Sequence, residues 1–324
     1  MGDNGDGAAR WTLGNLVPTE GTTLVGRKPG FTAVRVLTDD EQSELRGAYE
    51  DLSVFNLNRL VVNLHVAGGD FIRAVDDGLA SGRLLKLDVT STTQVHERFE
   101  ATLAAFTSSH RRVESAAAHL GGEGLAATKA DFSQLRHENA QYLLMWQLRN
   151  LAQHHRSPSD FLEVGRVCDT ECLAMNLGDL FEYVASLDLR RNHRRAWDDL
   201  SAAWANSERQ IDALACLVEA RRGYDLLVAR MLGRSARHLN AQVGRVITAY
   251  AAGSAVGRGA VAVRRDVGGF REQWFIDPRS FEGAMLTLNW GAEVTGVRRP
   301  YQLPDEGLFP EPPEMVWAEH RQEE

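Results

Sequence analysis

The residues best suited to chemistry lie in the segment Leu143–His155, where an arginine is followed at close spacing by histidines. Arg149 is followed directly by Asn150, and then by His154 and His155. Histidine titrates near neutral pH, so it can act as a general acid or a general base. Arginine keeps its proton and binds phosphate oxygens through a planar fork. Cleavage of RNA without a metal needs these groups: a base for the 2′-OH, an acid for the leaving 5′-oxygen and a cation at the phosphate.

Helical spacing ranks the two histidines. On a helix that advances about 100° per residue, Arg149 lies to one side of Trp146 and His154 to the other, whereas His155 points away. Asn150 and His154 are four residues apart, so their side chains can touch. His154 is therefore the predicted catalytic histidine, and His155 is the alternative. A structural role is also open, because basic residues in the last turn of a helix stabilise its dipole.

This segment resembles the signature of the HEPN superfamily, whose members are helical bundles and in many cases metal-independent ribonucleases. The signature is an arginine, commonly followed by a polar residue such as asparagine, and a histidine four to six residues later. Arg149, Asn150 and His154 match this pattern. The resemblance implies that these residues are catalytic, that no metal or other cofactor takes part, and that two motifs face each other across a homodimer.

Arginines elsewhere in the chain are candidates for RNA binding. Arg136 is predicted on the same helix as His154, at about the same angle around it, so it could extend a phosphate-binding groove. The densest basic cluster is also predicted to contact the RNA backbone, and its arginines are Arg190, Arg191, Arg194 and Arg195. The alternative for both sites is an ordinary solvent-exposed helix face.

Charge and composition narrow the function classes. The formal net charge is −8, which argues against a protein coated with positive charge for non-specific duplex binding. Of the 36 basic residues 33 are arginine, a bias that suits phosphate recognition but also follows from codon usage. The three cysteines, Cys168, Cys172 and Cys216, form neither a disulfide framework nor a zinc pattern. We expect no cofactor, no membrane segment and a cytoplasmic location.

The hydrophobic pattern predicts a mainly α fold, a helical bundle with small β-hairpin additions. Residues 1–30 are predicted to be a flexible tail, and 31–157 a helical HEPN-like core that ends in the motif. Residues 158–303 are expected to form a second helical region with short hairpins packed on the core, followed by an acidic, proline-rich tail over 304–324.

Individual elements can also be predicted. We expect a strand near Phe31–Leu37, a helix from Thr38 to about Ala80 with a break near Gly68 and Gly69, and continuous helices over Ser91–Leu120 and Gly124–His155. Short hairpins are expected over Phe161–Met175 and Gly259–Ile276, with a last helix over Phe281–Asn289.

The leading hypothesis is a homodimeric, metal-independent endoribonuclease, of the kind found among toxins and phage-defence effectors that an inhibitory or regulatory protein holds in check. The alternative is a non-catalytic helical module with a degenerate HEPN fold that binds RNA or a protein partner. The two differ in whether Arg149 and His154 work together at one site.

Overall fold

The computed structural model describes residues 11–17, 30–167, 170–205, 209–254, 260–266, 269–276, 287, 290–291 and 293–295. Helices predominate in this part of the chain, and two small antiparallel sheets complete it. The predicted mainly α class with β-hairpin additions is confirmed. No helix in the described ranges is both long and apolar enough to cross a membrane.

The helices are α1 (Asp39–Val54), α2 (Asn63–Ala80), α3 (Val89–His119), α4 (Gly121–Glu138), α5 (Ala140–His154), α6 (Leu177–Ser186), α7 (Arg191–Ala203) and α8 (Ala213–Ser254). A π-helical segment, Asn58–Val62, precedes α2, and a 3₁₀ turn, Pro158–Phe161, follows α5. The strands are β1 (Trp11–Val17), β2 (Gly30–Val36), β3 (Leu162–Val167), β4 (Thr170–Asn176), β5 (Gln210–Asp212), β6 (Ala260–Asp266) and β7 (Gly269–Ile276).

The chain divides into two units. The central unit is Asn58–Met231, and the terminal unit combines the described residues up to Leu57 with those from Leu232 onward, so α8 contributes to both. No division falls at the predicted boundary of residue 157, and Tyr224 of α8 packs in the same core as α3. Its ring packs 5.8 Å from that of Phe106, and its hydroxyl donates a hydrogen bond to the Leu60 carbonyl at 2.8 Å.

Helix α3 is the centre of the central unit. Asp88 caps its start by accepting a hydrogen bond from the Ser91 amide at 2.9 Å. Apolar residues then recur at helical spacing along one buried face, including Phe99 and Phe106. Phe99 packs against Phe71 of α2, with ring centroids 5.2 Å apart. This packing makes α3 a rigid support for side chains on its other faces.

The terminal unit contains an antiparallel sheet of order β2-β1-β6-β7. Leu13 of β1 is fully buried and pairs with Arg35 on one side and Ala262 on the other. Thr38 begins α1 with a capping box, in which its hydroxyl accepts from the Glu41 amide and the Glu41 carboxylate accepts from the Thr38 amide. The predicted helix start at Thr38 is confirmed.

The hairpin β3–β4, completed by β5, forms the second sheet and confirms the hairpin expected over Phe161–Met175. The strand near Phe31–Leu37, the helix over Ser91–Leu120 and the hairpin over Gly259–Ile276 are confirmed as β2, α3 and β6–β7. In each case the local hydrophobic period and the flanking turn residues agree with the tertiary structure.

Three expectations about elements are wrong. Residues 11–17 of the expected tail form β1, because they gain partners in β2 and in β6, the second of which is distant in sequence. The chain from Thr38 to Ala80 breaks after α1 rather than at Gly68 and Gly69, which both lie inside α2. Helix α4 ends at Glu138, so the helix expected over Gly124–His155 is two helices. The tail over 304–324 and most of the helix expected over Phe281–Asn289 lie outside the described residues.

Candidate active site

Helix α5 positions the motif, and Asn139 sets where this helix begins. The backbone of Asn139 is extended (φ −123°, ψ 97°), and its side chain accepts a hydrogen bond from the Tyr142 amide at 2.7 Å. Asn139 is thus the N-cap of α5 and the residue at which α4 ends. The shared angle predicted for Arg136 and His154 therefore does not hold, because they lie on different helices.

Arg149 and Asn150 contact each other as the motif suggests. Arg149 Nη1 donates a hydrogen bond to Asn150 Oδ1 at 2.8 Å, and Asn150 Nδ2 lies 3.5 Å from Gln147 Oε1. The Arg149 guanidinium also lies 5.5 Å from the centre of the Trp146 ring, a cation–π contact. Asn150 and Trp146 thus hold the arginine in one orientation.

His154 and His155 are both exposed at the end of α5. His154 is in the last turn, and His155 is the C-cap, whose amide donates to the Leu151 carbonyl. Their rings are 6.5 Å apart. Within the described part of the chain, no hydrogen bond joins His154 to Asn150. The structure therefore leaves the His154 imidazole free to face solvent or a ligand, and it separates His155 from the regular helix.

A cleft of about 730 Å³ lies between α3 and α5 in the central unit. We call it the arginine cleft, because Arg149 lines it together with two arginines from α3, Arg111 and Arg112. Gln153 and Ser157 line its other wall, on either side of His154 in sequence. The motif arginine is thus part of a larger cationic surface.

The floor and rim of the arginine cleft come mainly from α3. The remaining lining residues are Glu100, Leu103, Ala104, Thr107, Ser108 and Ala152. Glu100 accepts hydrogen bonds from the hydroxyls of Ser157 and Ser159, the second at 3.4 Å. These contacts fix the chain just after the motif against α3.

Sequence reasoning missed Arg111, Arg112 and Glu100 as site residues. The signal available was the pair of adjacent arginines in a strongly periodic helix, where two neighbouring positions cannot both face the core. Nothing in the sequence indicates that this pair meets Arg149, which is more than thirty residues away.

Helix α3 also carries a buried histidine, His110. Its ring stacks on Phe132 at 3.7 Å and packs 4.5 Å from the Trp146 ring. Its Nδ1 lies 3.4 Å from the Tyr142 hydroxyl, and its Nε2 lies 3.5 Å from a carboxylate oxygen of Glu114. The ring therefore joins α3 to α4 and α5.

The surroundings of His110 favour its neutral form. Burial, and after it the charges of Arg136, Arg149 and Arg111, lowers the pKa of His110 to about 3. The Glu114 carboxylate acts in the opposite direction, but one partly exposed acid does not balance burial and three cations. We therefore assign His110 a packing role in which it is uncharged at neutral pH.

The protonation of His110 can be observed directly. The His110 imidazole signal is the one that is missing from the NMR spectrum of His110→Gln. We expect this signal not to shift between pH 8 and pH 5 in the native protein. In the unfolded chain the pKa of the same ring is near 6.5. Acidification below that pH should therefore lower the free energy of unfolding by up to about 1.4 kcal/mol per pH unit, until about pH 3. A shift with a midpoint above pH 6 would contradict the buried, neutral assignment.

The predicted RNA-binding arginines do not line the arginine cleft. Arg136 lies in the last turn of α4, with its guanidinium 5.7 Å from the Trp146 ring. Arg190, Arg191 and Arg195 are exposed at the start of α7. Arg194 is different, because its guanidinium donates to the carbonyls of Val184, Ala185 and Leu187 at the end of α6. Arg194 thus caps a helix, which leaves the other three as the exposed members of the cluster.

The cysteines in the described chain are not reactive groups. Cys172 and Cys216 are buried as free thiols, and Cys168 lies outside the described residues. Burial, and after it the charge of Asp212, raises the pKa of both thiols, to about 12 for Cys216. The described residues also contain no group of three or more histidines, cysteines or acids arranged to hold a metal ion.

Comparisons of the chain with protein-family models, with curated proteins and with solved structures found no match. The resemblance to the HEPN superfamily therefore rests on the motif and on its placement at the end of α5.

Proposed function

We infer that this protein is a metal-independent endoribonuclease of the HEPN type, with Arg149, Asn150 and His154 as its catalytic residues. One observation supports this most directly. Arg149 lines a cationic cleft, while His154 is exposed in the last turn of the same helix. One short segment therefore supplies both an arginine that would hold a phosphate and a histidine that would transfer protons to or from the neighbouring oxygens.

The chemistry follows from these residue types. The 2′-oxygen attacks phosphorus as a base takes its proton, and the bond to the 5′-oxygen breaks as an acid supplies one. The products are a 2′,3′-cyclic phosphate and a 5′-hydroxyl. Arg149 stabilises the charge on the phosphate, and Asn150 orients Arg149 through the 2.8 Å hydrogen bond. A single histidine cannot serve as base and acid at once, so the predicted homodimer would supply the second from the other copy.

The reaction can be tested with purified full-length protein and a labelled RNA. We expect cleavage that persists in EDTA and leaves 2′,3′-cyclic phosphate ends, because proton transfer by histidine needs no bound metal. Products are identified by their mobility before and after treatment with a phosphatase that opens cyclic ends. Activity that disappears with EDTA and returns with Mg²⁺ or Mn²⁺ would contradict the proposal.

The second candidate is a non-catalytic helical module that binds RNA. It is favoured by the absence, in the described chain, of a hydrogen bond between His154 and Asn150, since an unsupported imidazole is poorly oriented for catalysis. This candidate keeps the cationic surfaces and predicts binding without cleavage, so the same assay separates the two. Roles as a toxin or in antiviral defence, and an inhibitory partner, remain predictions of the resemblance.

A further inference from the structure

The arginine cleft contains two arginines that the motif does not explain. Arg111 and Arg112 come from α3, whereas Arg149 comes from α5. Among the described residues that line the cleft, Glu100 is the single acid, so three arginines against one glutamate leave a net charge of +2. A concave surface with this excess concentrates anions.

These arginines are not neutralised by the described protein. In the described ranges, Arg111, Arg112 and Arg149 have no carboxylate partner within 4.0 Å. Arg149 Nε is buried and has no hydrogen-bond partner among the described residues. Of the three guanidinium nitrogens, Nη1 is the one that bonds to Asn150. Arg111 and Arg149 line the same cleft, and burial first, then repulsion by the charge of Arg111, lowers the pKa of Arg149. A bound anion would relieve this repulsion.

The cleft also has a direction. Tyr142 lies beside His110, and Ser157 bonds to Glu100, so α5 runs antiparallel to α3. Arg111 follows Glu100 by eleven positions, which corresponds to about 16 Å along the helix. The acid therefore marks the end of the cleft near the C-terminus of α5, and the two arginines of α3 mark the other end.

We propose that the arginine cleft is a subsite for the RNA chain, in which Arg111 and Arg112 hold a backbone phosphate next to the one that is cleaved at Arg149 and His154. The phosphate chemistry follows from the paired planar guanidinium groups, which bind phosphate through two parallel hydrogen bonds. The identification of the ligand as RNA rests on the proposed function.

The size of the cleft agrees with this ligand. Its volume of about 730 Å³ is in the range of sites that hold one small molecule or a few linked units. Thr107, Ser108 and Gln153 add hydroxyl and amide groups to the wall. We take the ligand to be a single strand, because a cleft of this volume holds only a few linked units.

The test uses a probe that binds but cannot react. A fluorescein-labelled RNA octamer with every 2′-hydroxyl methylated lacks the attacking group, so its binding by full-length protein can be followed by fluorescence anisotropy. Arg111→Ala is the informative variant, because Arg111 is exposed and makes no hydrogen bond to the described chain. Arg112 donates to the Arg59 carbonyl at 3.3 Å, so its replacement would also disturb the fold. Arg83→Ala is the control, because Arg83 is exposed and lies outside the cleft, and its replacement removes the same charge.

We expect Arg111→Ala to raise the dissociation constant about tenfold through loss of a charge-assisted contact. It should also reduce the slope of log affinity against log salt by about 0.7, the value for one phosphate of a single strand. Arg83→Ala should leave both close to wild type. Equal effects of the two variants, or a wild-type protein that does not bind the octamer, would overturn the subsite.

The two proposals fail separately. Wild-type protein that binds the octamer in this Arg111-dependent way but leaves unmodified RNA intact would support the subsite and reject the ribonuclease. Cleavage of unmodified RNA together with octamer binding that Arg111→Ala does not weaken would support the ribonuclease and reject the subsite.

Discussion

Replacing His154 with alanine is expected to lower the rate of RNA cleavage by about two to four orders of magnitude, the usual effect of removing a general acid–base group. His154 is exposed in the last turn of α5, so the change should leave the fold intact. The measurement is the initial rate on a labelled RNA at saturating protein. Circular dichroism of the variant checks that its helical content is unchanged.

His155→Ala is the matched control, because the two histidines are adjacent and both exposed. His155 is the C-cap and lies outside the regular helix, so its loss should reduce the rate only slightly. Equal losses from both replacements would show that the helical ranking of the histidines is incorrect. Full activity in His154→Ala would instead remove the histidine from the mechanism and favour the RNA-binding module.

The largest effect on stability is expected from Phe106→Ala, which should lower the free energy of unfolding of the central unit by about 3–5 kcal/mol. Phe106 is fully buried, and its ring lies 5.2 Å from that of Tyr142 and 5.8 Å from that of Tyr224. Alanine there leaves a cavity where α3, α5 and α8 meet. Because the chain has two units, hydrogen exchange of α3 and α5 amides is a better measure than one global melting curve.

Val66→Ala is the control for this change. Val66 is also apolar and in the central unit, but 55% of it is exposed, and its truncation should change stability by less than about 0.5 kcal/mol. A loss below about 1 kcal/mol in Phe106→Ala would mean that the three helices do not share a close-packed core at this point. The motif on α5 would then lack the rigid support that its chemistry requires.

The sequence was sufficient for the features that depend on neighbouring residues. The spacing of Arg149, Asn150 and His154 predicted that they would share the end of one helix, and they do. The capping pattern after Thr38 and the apolar period of α3 were equally readable, because helix starts and amphipathic faces are determined within a few residues. The two short hairpins follow from the same local rules.

Other features were decided by partners that are distant in the chain. Residues 11–17 form a strand that pairs with β2 on one side and, on the other, with β6, which lies about 250 residues later in the chain. Asn139 interrupts a helical pattern that looks continuous, since its side chain can cap the next helix as readily as continue the last one.

The candidate site shows the same division. The catalytic hypothesis came from one segment, but the arginine cleft exists because the antiparallel packing of α3 on α5 brings Arg111 and Arg112 to Arg149. Packing of this kind depends on how Phe106, Tyr142 and other buried side chains interlock across helices, and spacing within one helix carries no information about it. The sequence by itself therefore identified the motif, and the tertiary structure decided which charges surround it.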